Sequence, residues 1–140
     1  MSLASVVDII EAKLQDDAEW GNSIFWGNLD SFQNDYQDAD CPVTVVHLEQ
    51  ANMVESSTQS DQTTYDFAIK GVFYLGEKIT TKPNFSEYQR LNDSLRVIYN
   101  NIIDALDCAW VSDYLRSEFE SIDERMTITG RFTITVETIR

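Results

Sequence analysis

Basic residues are scarce in this chain. Lys and Arg together number 10 against 24 Asp and Glu, which gives a net charge of −14. Proteins bind the phosphate backbone of nucleic acids mainly through Lys and Arg, so this balance argues against specific nucleic-acid binding. The same shortage argues against a polybasic membrane anchor. No apolar run approaches the roughly 20 residues of a membrane-spanning helix, and residues 1–15 lack the pattern of a secretory signal.

Glycine and proline are also few, with five and two residues, which excludes collagen-like and low-complexity chains. Hydrophobic residues make up 43% of the chain and aromatic residues 11%, so the sequence is able to form a packed core. A chain of 140 residues has the length of one domain. We therefore predict a single folded domain over residues 1–140.

Residue types with catalytic or metal-binding chemistry are rare as well. The two cysteines, Cys41 and Cys108, form no Cys-x-x-Cys motif, and we interpret them as free thiols in a reducing cytoplasm, with one disulfide as the alternative. The lone histidine, His47, lies in a β-branched run that favours an ordinary strand residue over a catalyst. No glycine-rich phosphate loop is present. The sequence therefore predicts no catalytic residue, no metal site, no cofactor and no enzymatic activity.

Acidic residues are abundant in the first half of the chain. Residues 1–66 carry a net charge of −12 and residues 67–140 only −2. Asp35, Asp38 and Asp40 resemble the start of a calcium-binding loop, but the glycine that such a loop requires is absent, and we predict a solvated acidic loop. The asymmetry indicates either a generally acidic protein or an acidic surface that faces a basic partner or repels DNA.

Two segments have the period of amphipathic helices. Leu3–Leu14 carries one apolar stripe at helical spacing, and Ser2 is a suitable N-cap. The second helix is predicted to begin at Ser86, because residues 86–89 have the spacing of a capping box. Its apolar stripe runs over Leu91–Leu106, which is about five turns.

Four segments are predicted to be strands. Ser23–Trp26 is a short candidate, and Val43–Leu48 is a β-branched run that follows a proline. Thr64–Leu75 alternates with a period of two, and Gly71 in its middle indicates a bulge or a close approach of the backbone. Met126–Ile139 places threonines on one face, which we expect to face solvent, and apolar residues on the other.

The remaining segments are less regular. Residues 50–63 are predicted to be a mobile loop or the tip of a long hairpin, and residues 76–84 a second polar loop. Residues 107–125 suit a helical turn or a short strand equally well. Between residues 20 and 40 the chain mixes acidic residues with five aromatic ones, which we expect in core and edge packing, with ligand stacking as the alternative: Trp20, Phe25, Trp26, Phe32 and Tyr36.

The order of these elements predicts the fold class. Helix, strands, long hairpin, long helix and final strand together indicate an α+β protein. We expect a mainly antiparallel sheet of about four or five strands, with two helices packed on one face.

This order of elements also resembles a known family. An opening amphipathic helix (Leu3–Leu14) is followed by a strand that a proline initiates (Pro42–Leu48), and then by a long alternating strand (Thr64–Leu75) after a polar loop. A long helix that ends in Ile-Ile-Asp-Ala-Leu (102–106) leads to a threonine-rich last strand (Met126–Ile139). The pattern resembles the tail terminator or tail completion proteins of long-tailed phages and prophages.

The resemblance implies a structural virion protein and not an enzyme. Such proteins form a homo-oligomeric ring, typically a hexamer, that caps the tail tube and meets the head-completion proteins, and DNA later passes through the opening. The implied location is the virion, with the bacterial cytoplasm during assembly. On this interpretation the loops at 50–63 and 76–84 contact a neighbouring subunit or the tube, and basic residues face acidic ones across heterologous contacts. The candidate interaction residues are Asp35, Asp38, Asp40, Lys70, Lys78, Lys82 and Arg131.

Two other functions fit the same sequence. The first is a different role in head–tail joining or in the tail tube, since these proteins share the logic of a ring-forming α+β fold. The second is a small ligand-binding or regulatory α+β module, in which the aromatic residues between 20 and 40 line a pocket.

Overall fold

The computed structural model of the protein describes residues 2–27, 41–55, 59–74, 82–106, 109–111, 115–122 and 125–139. Two helices and six strands lie in these ranges. In chain order they are α1 (Leu3–Gln15), β1 (Ile24–Trp26), β2 (Val43–Glu55), β3 (Ser60–Tyr74), α2 (Lys82–Ala105), β4 (Ala109–Val111), β5 (Arg116–Ile122) and β6 (Arg125–Ile139).

All of these strands belong to one sheet, in the order β1-β2-β3-β6, with β4 and β5 both paired to the outer side of β6. The sheet is therefore five strands wide. Every pairing is antiparallel except that of β1 with β2, which is parallel. Both helices pack on one face, in a core shared with the strands. The predicted α+β class, with a mainly antiparallel sheet and two helices on one face, is confirmed.

Helix α1 forms as its apolar spacing predicts. Ser2 is the N-cap, and its Oγ accepts a hydrogen bond from the Ser5 N–H at 3.2 Å. Val6, Ile10 and Leu14 are fully buried against the sheet and α2. One stripe at positions i, i+4 and i+8 thus supplies the whole buried face of this helix.

The predicted start of the second helix is wrong. Helix α2 begins at Lys82, so Ser86 lies inside it and forms no capping box at the helix start. Residues 82–84, which we assigned to a polar loop, are its first residues. The physical reason is Pro83, because proline in the first turn of a helix loses no hydrogen bond and has its φ already set.

Trp20 joins α1, α2 and the sheet. Its side chain is fully buried, and its indole N–H donates to Ser94 Oγ on α2 at 3.1 Å. Its backbone carbonyl accepts from the Thr44 hydroxyl on β2 at 2.6 Å. The ring meets Phe73 edge-on, with 5.1 Å between centroids, and lies directly over Gly71. A Cβ at Gly71 would lie 2.5 Å from the indole ring, so glycine serves a close approach here, and the register is continuous through it.

Three strands continue as a long antiparallel ribbon. β2 pairs with β3 from Val43↔Val72 to Glu55↔Asp61, with one irregularity between Leu48 and Gln50. β3 pairs with β6 over its full length, from Ser60↔Ile139 to Tyr74↔Arg125. The polar segment 50–63 is therefore the end of a long hairpin within the described residues, as the second of our two interpretations had it.

Two further expectations need correction or completion. The segment 107–125, which suited a helical turn or a strand, contributes β4 and β5. The threonine face of β6 is not simply a solvent face, because Thr127 and Thr129 are only 8% and 9% exposed. They sit beside Val72 and Lys70 of β3 in the sheet. Alternation reveals which residues share a face, but it does not reveal whether the second face is covered.

Candidate functional site

The face of the sheet that carries no helix holds a cluster of charged and polar side chains. The register places His47 of β2, Ala68 of β3 and Arg131 of β6 side by side on this face. Arg116 of β5 lies directly opposite Arg131. Two arginines in such a cross-strand pair repel each other unless acidic neighbours compensate them.

Acidic residues from two other strands compensate Arg131. Its Nε donates to Glu49 Oε1 at 3.1 Å. Its Nη1 lies 2.9 Å from Glu118 Oε2, which is an ion pair without the direction of a good hydrogen bond. Glu49 belongs to the irregularity in β2, and Glu118 to β5. Arg131 therefore connects three strands across the helix-free face.

A polar cavity of about 350 Å³ lies beside this cluster. Asp66 of β3 is held there by the hydroxyl of Thr133, which donates to its Oδ1 at 2.8 Å. The lining combines two acidic and two basic side chains with polar and aromatic neighbours: Glu49, Gln50, Asp66, Phe67, Arg116, Arg131, Phe132 and Thr133. Because the lining holds equal numbers of acidic and basic side chains, the cavity suits a polar or zwitterionic group better than an anion or a cation alone.

A second charge cluster joins the helices. Arg90 of α2 binds Glu19, which follows α1, through both terminal nitrogens, with Nη2 to Glu19 Oε2 at 2.9 Å. It also binds Glu87 one turn earlier, with Nη2 to Oε2 at 2.7 Å. These hydrogen bonds lower the pKa of both carboxyl groups and raise the pKa of Arg90. All three side chains are well exposed, so solvent screens their charges and the cluster adds little to the free energy of unfolding.

Of the seven predicted interaction residues, the structure describes two side chains. Arg131 lies in the polar cluster, and Lys70 lies on the same face between Val45 and Thr129, only 9% exposed. Lys82 is the first residue of α2. Asp35, Asp38, Asp40 and Lys78 lie outside the described residues. The sequence analysis missed Glu49 and Glu118, because no local pattern shows that strands so far apart in the chain bring them to one arginine.

Other candidate residues have ordinary places in the fold. Trp20 is fully buried in the core. Its burial agrees with the core-packing interpretation of this residue and not with the ligand-stacking alternative. Phe32 and Tyr36 lie outside the described residues. His47 pairs with Ala68 in the β2–β3 ladder. Among the described residues no group of three or more His, Cys, Asp or Glu side chains is placed to hold a metal ion.

Exposed apolar side chains of the described residues include two on β2, which point to opposite faces of the sheet, and two on α2 and β5. Met53 and Val54, near the end of β2, are 70% and 62% exposed. Phe85 of α2 and Phe119 of β5 are 53% and 40% exposed, and Phe119 packs on Tyr88 with 4.6 Å between ring centroids. Exposed apolar patches rimmed by polar residues mark contact sites on many proteins.

No protein-family model matches the chain, and no curated protein matches it. None of the described helices is long and apolar enough to cross a membrane.

Proposed function

We propose that this chain is a structural subunit of a phage or prophage tail, of the tail terminator kind. In this role copies of the chain form a ring that closes the tail tube and joins it to the head-completion proteins. The ring works by shape and contact and catalyses no reaction.

The observation that carries the proposal is the ribbon formed by the ends of three strands. We define the distal ribbon as residues 49–55 of β2, 60–66 of β3 and 132–139 of β6. From residue 50 to residue 54 β2 is exposed, and its side chains include Met53 and Val54. An exposed strand with apolar side chains adds little to the stability of the chain itself, so its use is best explained by contact with another chain.

The charge of the chain supports the same role. A net charge of −14, with −12 in residues 1–66, gives a surface that repels DNA. A wall of like charge around the opening would let DNA pass without binding. We propose that the acidic residues of this half, Asp35, Asp38 and Asp40 among them, line the opening of the ring.

The test is assembly on a tail tube. Native mass spectrometry and light scattering measure whether the purified chain forms a closed oligomer, with six copies as the expected number. Electron microscopy then shows whether the chain caps tubes assembled from a phage tail-tube protein. We expect a ring at one end of each tube. A chain that stays monomeric, both alone and with tubes, contradicts the proposal.

The polar cavity favours a second candidate function, a small ligand-binding module. The cavity of about 350 Å³ has room for a small polar molecule, and the guanidinium group of Arg131 offers a hydrogen-bond donor there. Thermal unfolding in the presence of a panel of amino acids and other zwitterions tests this function. A ligand that raises the unfolding temperature of the wild type, but not that of Arg131→Met, would favour it over the ring.

A further inference from the structure

We propose that the polar cavity binds a small amino acid, and that the side chain of Glu118 competes with the carboxylate of this ligand. The ligand's carboxylate binds Arg131 and Arg116, and its ammonium group binds Asp66. Glu118 thus weakens binding, and removal of its charge strengthens it. The inference deepens the second candidate function, the small ligand-binding module, and rests on that function and not on the tail role.

Two arginines that line the cavity have more hydrogen-bond donors than partners. Arg131 of β6 and Arg116 of β5 lie directly opposite each other, so their side chains share one face of the sheet. Nη1 of Arg131 is shut off from solvent without a hydrogen-bond partner, whereas its Nε donates to Glu49. A buried donor without a partner costs free energy, which an acceptor on a ligand would recover. A carboxylate suits a guanidinium group best, because its two oxygens accept two parallel hydrogen bonds.

Glu118 already brings one carboxylate to this arginine pair. Its Oε2 lies 2.9 Å from Nη1 of Arg131, and its Oε1 lies 3.9 Å from Nη2 of Arg116. The first contact lacks the direction of a hydrogen bond, and the second is too long for one. The Glu118 side chain is 57% exposed, so it loses little when it turns into solvent. A carboxylate with better geometry therefore competes with Glu118 for the same two guanidinium groups.

The opposite charge lies two residues along the sheet. Thr133 follows Arg131 by two positions on β6 and pairs with Asp66 on β3. Oδ1 of Asp66 accepts the hydroxyl hydrogen of Thr133 at 2.8 Å, and its Oδ2 has no hydrogen-bond partner in the described chain. Two residues span roughly 7 Å along a strand. A molecule in the cavity thus meets guanidinium groups at one end and a carboxylate oxygen a short distance away, which is the charge pattern of an amino acid read in reverse.

The other charges of the site disfavour ligands of one sign. A multiply charged anion such as phosphate would meet Asp66 and Glu49 in the lining, in a chain with a net charge of −14. A simple amine would meet the two arginines instead. A zwitterion places each of its charges beside the opposite one, and a cavity of about 350 Å³ accommodates a molecule of amino-acid size.

Titrations followed by NMR test the ligand class. The probes are glycine, β-alanine and γ-aminobutyric acid, with acetate and methylamine as the compounds that carry one charge only. We expect at least one amino acid to shift the amide resonances of Arg116, Arg131 and Thr133. It should bind about tenfold more tightly than acetate or methylamine, because both of its charges find a partner.

Three variants test the assigned roles. Glu118→Gln removes the competing charge and should tighten amino-acid binding roughly two- to fivefold, the range of an exposed ion pair. The matched control is Glu120→Gln, since Glu120 is exposed on the same strand and the same face but does not line the cavity. This control should bind like the wild type. Asp66→Asn keeps the acceptor for Thr133 and should bind the amino acid no better than acetate. Thermal unfolding confirms that each variant is folded.

The outcomes separate the inference from the function on which it rests. If amino acids bind but Glu118→Gln and Glu120→Gln have the same affinity for them, Glu118 does not compete and the inference is wrong, while the ligand-binding module stands. If acetate binds the wild type as tightly as the amino acids do, the ligand is a simple carboxylate and the inference is also wrong. If no probe binds the wild type or Glu118→Gln, both fall. The tail role is tested independently, by the assembly of rings on tubes.

Discussion

The two ends of the long strands differ in what covers them. At the end near Gly71 and Ile128, β3 and β6 lie beneath two helices and Trp20, and their side chains are almost fully buried. At the distal ribbon the same sheet continues, but β2 carries exposed residues from position 50 to 54. Strand β2 thus contributes to the core at one end and offers a surface at the other, whereas Ile134 and Val136 keep β6 buried along part of the distal ribbon.

The difference shows that strand length and strand burial are set separately. The backbone ladder holds β2 and β3 together as far as Glu55↔Asp61, well past the last core residue of β2. Cross-strand hydrogen bonds and small polar contacts, such as Ser60 to Glu137 at 2.8 Å, suffice there. Substitutions at the covered end should therefore change stability, and substitutions on the ribbon should change association.

The largest expected effect comes from Trp20→Ala at the covered end. The change removes a fully buried indole, its hydrogen bond to Ser94 and its contact with Phe73. We expect a loss of about 3–5 kcal/mol in the free energy of unfolding, measured with urea. Phe85→Ala, which removes an exposed ring, is the control and should cost far less. Equal losses for the two variants would contradict the division between the ends.

Gly71→Ala should have the next largest effect. The added methyl group would lie 2.5 Å from the buried Trp20 ring, which has no room to move. We expect a loss of about 1–3 kcal/mol from overpacking. Gly130→Ala should cost less, because its nearest neighbours are the ends of Leu95 and Leu115 at 2.9 and 3.0 Å. The reverse order of the two glycines would show that Trp20 yields more easily than its packing indicates.

The cluster at Arg131 lies between the two ends and should have an intermediate effect. A double-mutant cycle of Arg131→Met and Glu49→Gln measures the coupling of the pair. Their side chains are 27% and 33% exposed, so we expect about 0.5–1 kcal/mol, decreasing as salt is added. A coupling that does not change with salt would indicate that packing, and not charge, joins the two residues.

The Glu19–Arg90 pair should give a small, pH-dependent effect. The hydrogen bond from Arg90 lowers the pKa of Glu19, so its contribution to stability is fully present above the ordinary pKa that Glu19 has in the unfolded chain. The contribution is lost as the pH falls through the lower pKa of the folded chain. The exposed Glu19→Gln variant should lose about 0.5 kcal/mol or less at pH 7 and nothing at pH 2. A difference that grows toward low pH would have the wrong sign for this pair.

The smallest effect on stability should come from the ribbon. Met53→Ser removes a side chain that is 70% exposed, and we expect a change within about 0.5 kcal/mol of zero. A loss of more than 1 kcal/mol would mean that Met53 packs within its own chain. The measurement is urea unfolding at a protein concentration low enough to keep the chain monomeric.

The sequence predicted the elements that bury one face, because their apolar residues recur at a regular spacing. Helix α1 has its stripe, and β3 and β6 alternate strictly where one face meets the helices. The start of α2 was predicted four residues late, since Ser86 gave a capping signal and Pro83 gave a competing one. The hairpin end was ambiguous, because a strand exposed on both faces has no hydrophobic period to detect.

The polar cluster was beyond prediction for a different reason. Arg131 was singled out for its charge, but its partners are Glu49 of β2 and Glu118 of β5. These residues precede it in the chain by 82 and 13 positions. Only the register of the sheet brings them together, and register depends on the packing of the whole core. The exposure of Phe85 and Phe119 was equally hidden, since Phe85 preceded the predicted helix and Phe119 lay in the irregular segment 107–125.

The position of β6 has a consequence for synthesis on the ribosome. It is the last of the elements in chain order, yet it lies between β3 and the β4–β5 edge. Until residues 125–139 emerge, one side of β3 stays unpaired, and the apolar faces of both helices lack much of their partner surface. A nascent chain in this state is prone to aggregate, so chaperone dependence and slow, late collapse are the expected properties of its folding in the cell.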